Sequence, residues 1–207
     1  MPIDLPIIIL AAGSASRMRG RDKLMEDVGG VPLLRAQAVK ARAVTKGPVI
    51  VALPPPPHPR YDALDGLEVL CLPVAAAAEG MSASLRTAFA ALPRDAACAM
   101  MYLADLPDLT EDDLRKVAEA VDLGSDTLIW RGATEAGAPG HPIVFHRALF
   151  DHFATLKGDG GAREVVAAAG NRVTLVPLPG DRARADLDTP EDWARWRRDT
   201  SGSQSRT

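Results

Sequence analysis

Apolar runs of strand length alternate along the first half of the chain with segments of helical pattern. The apolar runs are Leu5 to Leu10, Val49 to Leu53, Leu67 to Leu72 and Ala97 to Leu103, and the helical patterns are Pro32 to Ala43, Ser82 to Leu92 and Glu111 to Val121. Strands that are apolar throughout, rather than alternately apolar and polar, are typical of a parallel sheet covered on both faces by helices. The pattern therefore predicts a three-layer α/β fold with a doubly wound, mainly parallel sheet.

The second half of the chain has a less regular pattern. It contains strand candidates at Thr127 to Arg131, Pro142 to His146 and Arg172 to Leu178, and helical segments at Arg147 to Thr155 and Arg163 to Ala168. Near the end, Thr189 is a good helix N-cap, with Pro190 in the first helical position and Asp192 three residues after the cap. A short helix is expected to begin there.

Length and charge limit the classes of protein to which the chain can belong. At 207 residues it has room for one α/β domain with a sizeable core, which we place at residues 1–198. The polar tail from Asp199 to Thr207 has no apolar anchor and is expected to be disordered. A net charge of −3 argues against a nucleic-acid-binding face. No apolar run approaches the roughly 20 residues that cross a bilayer, so we expect a cytoplasmic protein without a membrane partner.

A small, cationic loop follows the first strand. After Leu10 the sequence continues as AAGSASRMRGRDK, which places Gly13 among small residues and puts Arg17 and Lys23 nearby. Small residues let backbone N–H groups approach an anion closely, and the two cations add full positive charges around it. The loop fits neither the GxxxxGK[ST] pattern of a P-loop nor the GxGxxG pattern of a dinucleotide fold. It predicts a different kind of polyphosphate site.

The loop and five further motifs resemble those of nucleotidyltransferases with the nucleotide-diphospho-sugar transferase fold, and among these most closely the molybdenum cofactor cytidylyltransferases. After the LAAGSASRMRGRDK string, the motifs are EGMSASLR at Glu79 to Arg86, ADLPDL at Ala104 to Leu109, GHPIVF at Gly140 to Phe145, GDGGAR at Gly158 to Arg163 and DLDTPED at Asp186 to Asp192. They occur in the expected order, and the resemblance covers the chain up to about Arg198. The resemblance implies transfer of CMP from CTP to the terminal phosphate of molybdopterin, with release of pyrophosphate.

Three side chains acquire catalytic roles from this resemblance and from their place in the sequence. Lys23 resembles the family's loop lysine, which bridges the phosphates in the transition state, and Arg17 matches the signature arginine, which would bind the β and γ phosphates. Asp105 follows an apolar strand and precedes Leu106-Pro107, so it lies at the carboxyl end of a strand, where a carboxylate that holds Mg²⁺ belongs. We expect these three groups to act on one triphosphate.

A second metal ligand and the contacts to the nucleotide are predicted less directly. Asp186 is the expected second carboxylate for Mg²⁺, with Asp188 as the open alternative. The resemblance implies nucleotide contacts from seven residues: Leu10, Ala11, Ala12, Gly13, Gly80, Ser82 and Ser84. Ala12 matches the LAAG form associated with cytidine, because a methyl group there can block a larger purine.

The acceptor side is expected to come from the second half of the chain. His141 in GHP resembles an acceptor-site histidine, and Asp159 and Arg163 in GDGGAR join a turn to a helix start that could clamp a phosphate. A recipient molybdoenzyme is a plausible partner for the product. Two alternatives stay open: a nucleotidyltransferase that acts on a sugar phosphate or methylerythritol phosphate, and a noncatalytic protein that binds a nucleotide or cofactor.

Overall fold

The computed structural model describes residues 4–158 and 160–204, with a seven-stranded sheet at its centre. The strands in chain order are β1 (Ile7–Leu10), β2 (Asp27–Val28), β3 (Val31–Pro32), β4 (Val49–Leu53), β5 (Leu70–Pro73), β6 (Cys98–Leu103), β7 (Ile129–Ala133), β8 (Pro139–His146) and β9 (Val173–Pro177). The helices are α1 (Leu33–Val44), α2 (Pro59–Asp62), α3 (Met81–Ala90), α4 (Glu111–Glu119), α5 (Phe150–Ala154), α6 (Arg163–Ala169) and α7 (Pro190–Gln204).

The large sheet is parallel apart from one strand. Its order is β5-β4-β1-β6-β8-β7-β9, and β8 runs antiparallel to both of its neighbours, β6 and β7. Strands β1, β4 and β6 are buried almost throughout, which is the reason for their continuous apolar sequences. The carboxyl ends of these three strands therefore share one edge of the sheet.

Two apolar cores, one on each face of the sheet, make the fold three-layered. One core includes Leu33 and Leu34 of α1, Leu114 of α4 and Trp193 of α7. The other includes side chains of α3, α5 and α6, where Phe89 stacks on Phe153 with ring centroids 3.4 Å apart. The predicted α/β fold with helices on both faces is confirmed.

Several element boundaries differ from the sequence-based expectation. Strand β5 begins at Leu70 rather than Leu67, because residues 64–69 form tight turns. The pair β2 and β3, joined through Gly29 and Gly30 with φ angles of 65° and 90°, is a small hairpin that the apolar pattern does not predict. Two-residue strands are too short to leave a periodic signal.

The polar tail also differs from the expectation of disorder. Helix α7 begins at Pro190 as predicted and continues to Gln204, into the segment from Asp199. The Thr200 hydroxyl donates to the Trp196 carbonyl at 2.7 Å. Adding a residue to a helix that has already been nucleated requires little free energy, so a polar sequence can extend it. Residues 205–207 lie outside the described part of the chain. Among the described residues, no helix has the length and apolar character needed to span a membrane.

Candidate active site

A cleft of about 960 Å³ opens at the carboxyl ends of the parallel strands. It is lined by residues 10–17 and 20–24, by Pro54, His58 and Arg60, by Ala77, Ala78, Gly80 and Met81, and by Leu103, Asp105, Asp186 and Asp188. A cleft of this size at the carboxyl edge of an α/β sheet suits a nucleotide-sized ligand. The loop after β1 and the turn after β6 thus meet at one cavity.

At the centre of the cleft, a lysine bridges two carboxylates from distant parts of the chain. The Lys23 Nζ atom lies 2.5 Å from Asp105 Oδ2 and 2.7 Å from Asp188 Oδ1. The exposed guanidinium of Arg17 lies 2.7 Å from the other oxygen of Asp188. The structure therefore brings together all three residues to which the sequence assigns catalysis, and it adds Asp188 as the link between the two cations.

The pKa shifts of these groups follow from burial and from their neighbours. Burial alone would lower the pKa of Lys23, but the charges and hydrogen bonds of Asp105 and Asp188 outweigh it and raise the pKa, so the amine stays protonated. Burial would raise the pKa of Asp188, yet the contact with Lys23 holds it below its ordinary value. Burial, a hydrogen bond to Asp188 and the charge of Asp105 raise the pKa of Asp186. The two neighbouring carboxyl groups are therefore shifted in opposite directions, the pKa of Asp186 upward and that of Asp188 downward.

The loop after β1, residues 11–23, is called the phosphate loop below for its predicted role, and it is held between a buried anchor and two strained residues. Met18 is completely buried in the core beneath the loop. On either side of it, Ala15 and Arg19 adopt left-handed conformations with φ of 50° and 52°, which side chains other than glycine rarely adopt. Arg17 lies between these positions and turns outward to the cleft. Backbone strain of this kind persists only where the surrounding contacts enforce it.

A buried arginine braces the same loop at both of its ends. Arg60 of α2 is 1% exposed, and its Nη1 donates to the carbonyls of Ala11 at 2.6 Å and Gly13 at 2.8 Å. Its Nε and Nη2 form a bidentate pair with the two carboxylate oxygens of Asp22, each at 2.7 Å. Asp22 in turn accepts a hydrogen bond from the Leu24 backbone. Arg60 thereby fixes the backbone on both sides of the loop, up to the residue before Lys23.

A close crossing of two backbone segments positions the carboxylates of Asp186 and Asp188. The Gly140 residue of β8 touches the chain at Ala183 so closely that a Cβ atom on it would lie 2.1 Å from the Ala183 carbonyl oxygen. Next to it, the His141 N–H donates to the Ala183 carbonyl at 2.7 Å, and the Leu187 N–H donates to the Asp105 carbonyl at 3.1 Å. Only glycine permits this crossing. The crossing places residues 186 and 188 beside the end of β6.

The helix cap that follows the carboxylates forms as the sequence predicts. The Asp192 N–H donates to the Thr189 hydroxyl at 3.2 Å, and the Thr189 N–H and hydroxyl both donate to the Asp192 carboxylate. This reciprocal pair is a capping box. Because Thr189 and Asp192 satisfy the start of α7, Asp188 is free to face the cleft.

The donor set fits a divalent metal ion bound together with a substrate. The Asp105 Oδ1 atom is buried and has no hydrogen-bond partner among the described residues, and Asp186 also lines the cleft. No group of three or more His, Cys, Asp or Glu side chains in the described ranges has the arrangement of a complete metal site. Mg²⁺ usually binds one or two carboxylates and completes its shell with water and substrate phosphates. Asp105 and Asp186 are suited to that pattern.

The predicted nucleotide contacts divide into two groups. Leu10, Ala11, Ala12, Gly13 and Gly80 all line the cleft. Ser82 and Ser84, which follow in α3, are buried and lie outside the lining. The hydroxyl of Ser82 donates to the Lys157 carbonyl at 3.2 Å, so it is engaged in holding the loop before α6. A role for the two serines as ligands of the nucleotide stays a prediction.

Of the predicted acceptor residues that the structure describes, neither His141 nor Arg163 is in the cleft lining. Gly161 of the GDGGAR motif lies against Met81 of α3, and Arg163 is exposed at the start of α6. Asp159 lies outside the described residues. Burial and the charge of Arg131 lower the pKa of His141 to about 4. At neutral pH the imidazole therefore carries no positive charge, which differs from the expectation of a histidine close to its neutral titration point.

The sequence leaves several cleft residues without a role. Arg60 comes from a polar segment with no motif, and Pro54 and His58 lie in the proline-rich stretch that the sequence indicates only as a rigid surface loop. His58 caps α2, where its Nδ1 accepts a hydrogen bond from the Arg60 N–H at 3.3 Å. The PPPPH stretch therefore has a site-building function, since it starts the short helix that carries Arg60.

Comparison with protein families gives one match that covers most of the chain. The model of the MobA-like NTP transferase domain matches residues 7–173. Among curated proteins, none is significantly similar to this sequence.

Solved structures with the same fold have both bacterial and archaeal sources. Rv0371c of Mycobacterium tuberculosis H37Rv is 28% identical, with a TM-score of 0.77 over 95% of this chain and 98% of that one. A structure of Rv0371c in complex with manganese is 26% identical, with a TM-score of 0.76 over 93% and 97% of the two chains. Mth528, a nucleotidyl transferase from Methanothermobacter thermautotrophicus, shares the fold at 22% identity, with a TM-score of 0.72 over 96% and 99%.

Proposed function

The chain belongs to the family of MobA-like NTP transferase domains and is a nucleotidyltransferase, and from this premise we propose that it transfers CMP from CTP to the terminal phosphate of a molybdopterin cofactor. The observation that carries the proposal is the contact of Lys23 with both Asp105 and Asp188 at the floor of the cleft. A cation held between two carboxylates at the end of the sheet suits a site that must neutralise a triphosphate.

In the proposed reaction, an oxygen of the acceptor phosphate attacks the α-phosphorus of CTP. The bond between the α-phosphorus and the oxygen that bridges to the β-phosphate breaks, and pyrophosphate leaves with that oxygen. Phosphoryl-transfer chemistry of this kind depends mainly on positioning and on stabilisation of charge. No covalent intermediate with the protein is required.

The chain's own residues supply the positioning and most of the charge. Lys23 is protonated and bridges the phosphates, and Arg17 binds the β and γ phosphates from the exposed rim of the cleft. Backbone N–H groups around Gly13 complete the anion cradle. One preorganised donor aimed at developing charge can contribute about 3 to 4 kcal/mol to lowering the barrier.

Asp105 and Asp186 would hold a Mg²⁺ ion in this proposal. Such an ion, when bound, screens the charge of the phosphates and polarises them. The unpartnered, buried Oδ1 atom of Asp105 supports this assignment. The manganese complex of Rv0371c shows that this relative binds a divalent ion.

The choice of CTP and molybdopterin depends on the ordered motifs and on the small side chain of Ala12. Ala12 lines the cleft and is 7% exposed. Compared with a glycine at this position, its methyl group leaves less room for a purine base. The GHP and GDGGAR motifs favour the pterin acceptor over a sugar phosphate or methylerythritol phosphate. A recipient molybdoenzyme and a cytoplasmic location belong to the same proposal.

Pyrophosphate release tests the proposed function. The purified protein is mixed with Mg²⁺ and each of the four nucleoside triphosphates, with molybdopterin, a sugar phosphate or methylerythritol phosphate as acceptor. We expect release with CTP and molybdopterin, in amounts equal to the dinucleotide formed. Release with another base or acceptor only would replace the proposed substrates, and binding without any release would favour a noncatalytic protein.

A further inference from the structure

A second group of positive charges lies at the carboxyl edge of the sheet, beside the cleft. Arg131 of β7 donates from Nε to the Gly140 carbonyl at 2.7 Å. Arg184, in the segment that crosses over β8, donates from Nη1 to the Pro139 carbonyl at 3.4 Å. Because Pro139 and Gly140 are consecutive at the start of β8, the two guanidinium groups bind neighbouring carbonyls of one strand.

The register of the sheet connects this group to the cleft. Met101 of β6 pairs with Ile143 of β8 in antiparallel register, so continuing that register by two residues places His141 opposite Leu103. Leu103 lines the cleft. His141 therefore occupies the next position along the sheet edge after the cleft, and Arg131, whose own pairing partner is also Ile143, follows on the far side.

Arg131 and His141 lie on the face of the sheet that packs against α3. Ile129 and Ile143 pack into the core beneath α3 together with Leu10 and Ala12. Since side chains alternate along a strand, Arg131 and His141 lie on the same face as Ile129 and Ile143. We call His141, Arg131 and Arg184 together the polar extension. The charge of Arg184 lowers the pKa of Arg131, so the two guanidinium groups lie near one another.

The extension has unmet bonding capacity of a kind that an anion would satisfy. In the described ranges, neither Arg131 nor Arg184 forms an ion pair with a carboxylate, although Arg131 is half-buried. Leaving a partly desolvated cation without an anion raises the free energy of the folded state.

We propose that Arg131 and Arg184 bind the phosphate group of the acceptor substrate. This inference rests on the proposed function and identifies the part of the chain that holds the attacking group. Arg184 precedes Asp186, a residue of the cleft lining, by two positions in the chain. Guanidinium groups suit this task because their planar N–H donors match two phosphate oxygens at once.

A phosphate titration followed by NMR tests the inference without any turnover. Inorganic phosphate is the probe, and the Nε–H signal of Arg131, assigned by its loss in Arg131→Gln, is the site-specific reporter. We expect this signal to shift to saturation with phosphate but not with chloride at the same ionic strength. Arg184→Gln should weaken phosphate affinity at this reporter about tenfold, which is the effect of losing a charge-assisted hydrogen bond.

Two further variants provide the control and the competing assignment. Arg35 is also half-buried and donates to the backbone carbonyls of Ala63 and Asp65, far from the extension, so Arg35→Gln should leave the titration unchanged. Arg163→Gln removes the arginine of GDGGAR. An unmoved Arg131 signal, equal weakening by Arg35→Gln, or loss of phosphate binding only in Arg163→Gln would each overturn the inference.

Kinetics separates this inference from the proposed function. In Arg131→Gln we expect KM for the acceptor to rise about tenfold, while the affinity for the nucleoside triphosphate stays unchanged. If the wild-type protein released no pyrophosphate with any substrate, the proposed function would fail, and the phosphate titration would still decide on the anion site. If an active Arg131→Gln variant kept the same KM for the acceptor, the phosphate site at Arg131 and Arg184 would be wrong and the proposed function would still stand.

Discussion

Lys23 and Asp105 are in direct contact, with 2.5 Å between Nζ and Oδ2, although 82 positions separate them in the sequence. Lys23 ends the loop after β1, and Asp105 follows β6, the neighbour of β1 in the sheet. Parallel neighbours end at the same edge, so the topology itself produces this contact. The ammonium group occupies a position where the site must neutralise negative charge.

Removal of the Lys23 ammonium should strongly slow turnover while the protein still folds. We expect Lys23→Ala to lower kcat for pyrophosphate release by about a hundredfold to a thousandfold, which is the usual effect of losing one preorganised donor. Steady-state kinetics measures the loss, and the far-UV circular dichroism spectrum checks the fold. Lys46 is an exposed lysine outside the cleft, so Lys46→Ala is the matched control. Activity of Lys23→Ala within a few fold of the wild type would disprove the assigned role.

Arg60 should act on catalysis through the shape of the phosphate loop. Lysine at this position keeps the charge but cannot pair with Asp22 and with two carbonyls at once. We expect Arg60→Lys to lower kcat about a hundredfold, because small displacements of catalytic groups have effects of that size. A rise in KM for the nucleotide should accompany this loss.

The control for Arg60 is an arginine with similar bonds elsewhere. Arg42 donates to the carbonyls of Thr45 and Gly47 at the end of α1, and Arg42→Lys should reduce stability slightly without affecting kcat. Chemical denaturation of both variants measures the effect on folding. If Arg60→Lys lost stability but kept its kcat, the brace would be structural only.

Gly140 should be intolerant of a side chain. In Gly140→Ala the new Cβ atom would meet the Ala183 backbone at 2.1 Å, and we expect a loss of about 1 to 3 kcal/mol in the free energy of unfolding. Activity should fall as well, because the segment that carries Asp186 and Asp188 has to move. Gly124→Ala is the control, since the nearest atom there belongs to the flexible Asp122 side chain at 3.3 Å. Equal stability of the two variants would argue against the close crossing.

Burial of His141 should make stability depend on pH. Its pKa falls from the ordinary 6.5 to about 4 in the folded protein, so the unfolded state binds more protons between these two values. Stability is then fully present above about pH 6.5 and decreases as the pH falls toward 4. The free energy of unfolding is measured by urea denaturation at pH 7 and at pH 5. Its decrease between the two pH values should be smaller in His141→Gln than in the wild type, by on the order of 1 to 2 kcal/mol. Parallel losses in both proteins would contradict a buried, neutral imidazole.

The strands and the centre of the site are predictable from sequence because local pattern decides them. Val49–Leu53 of β4 and the start of α7 at Pro190 agree with the predictions, since apolar runs and capping residues are local signals. The phosphate loop and Asp105 converge because both follow parallel strands.

Other features of the site depend on tertiary packing, which a single sequence does not reveal. Arg60 has no motif around it, and it is buried because α2 packs against the loop that follows β1. The contact of Lys23 with Asp188 depends on the crossing at Gly140 and has no signal in the sequence. The choice between Asp186 and Asp188 as the second metal ligand stays a prediction. The antiparallel direction of β8 comes from the short turn at residues 134–138 that joins it to β7, and the apolar pattern does not specify this reversal.

The most direct test of the central claim is the binding of Mn²⁺ with and without CTP, measured by electron paramagnetic resonance in the wild type, Lys23→Ala and Asp105→Asn. If Asp105 and Lys23 act on a common triphosphate and divalent ion, CTP should strengthen Mn²⁺ binding in the wild type and should weaken or lose this effect in both variants. Asp95, an exposed residue outside the cleft, provides the control Asp95→Asn, which should behave as the wild type does. Mn²⁺ affinity that is independent of CTP, or unchanged in Asp105→Asn, would contradict the account.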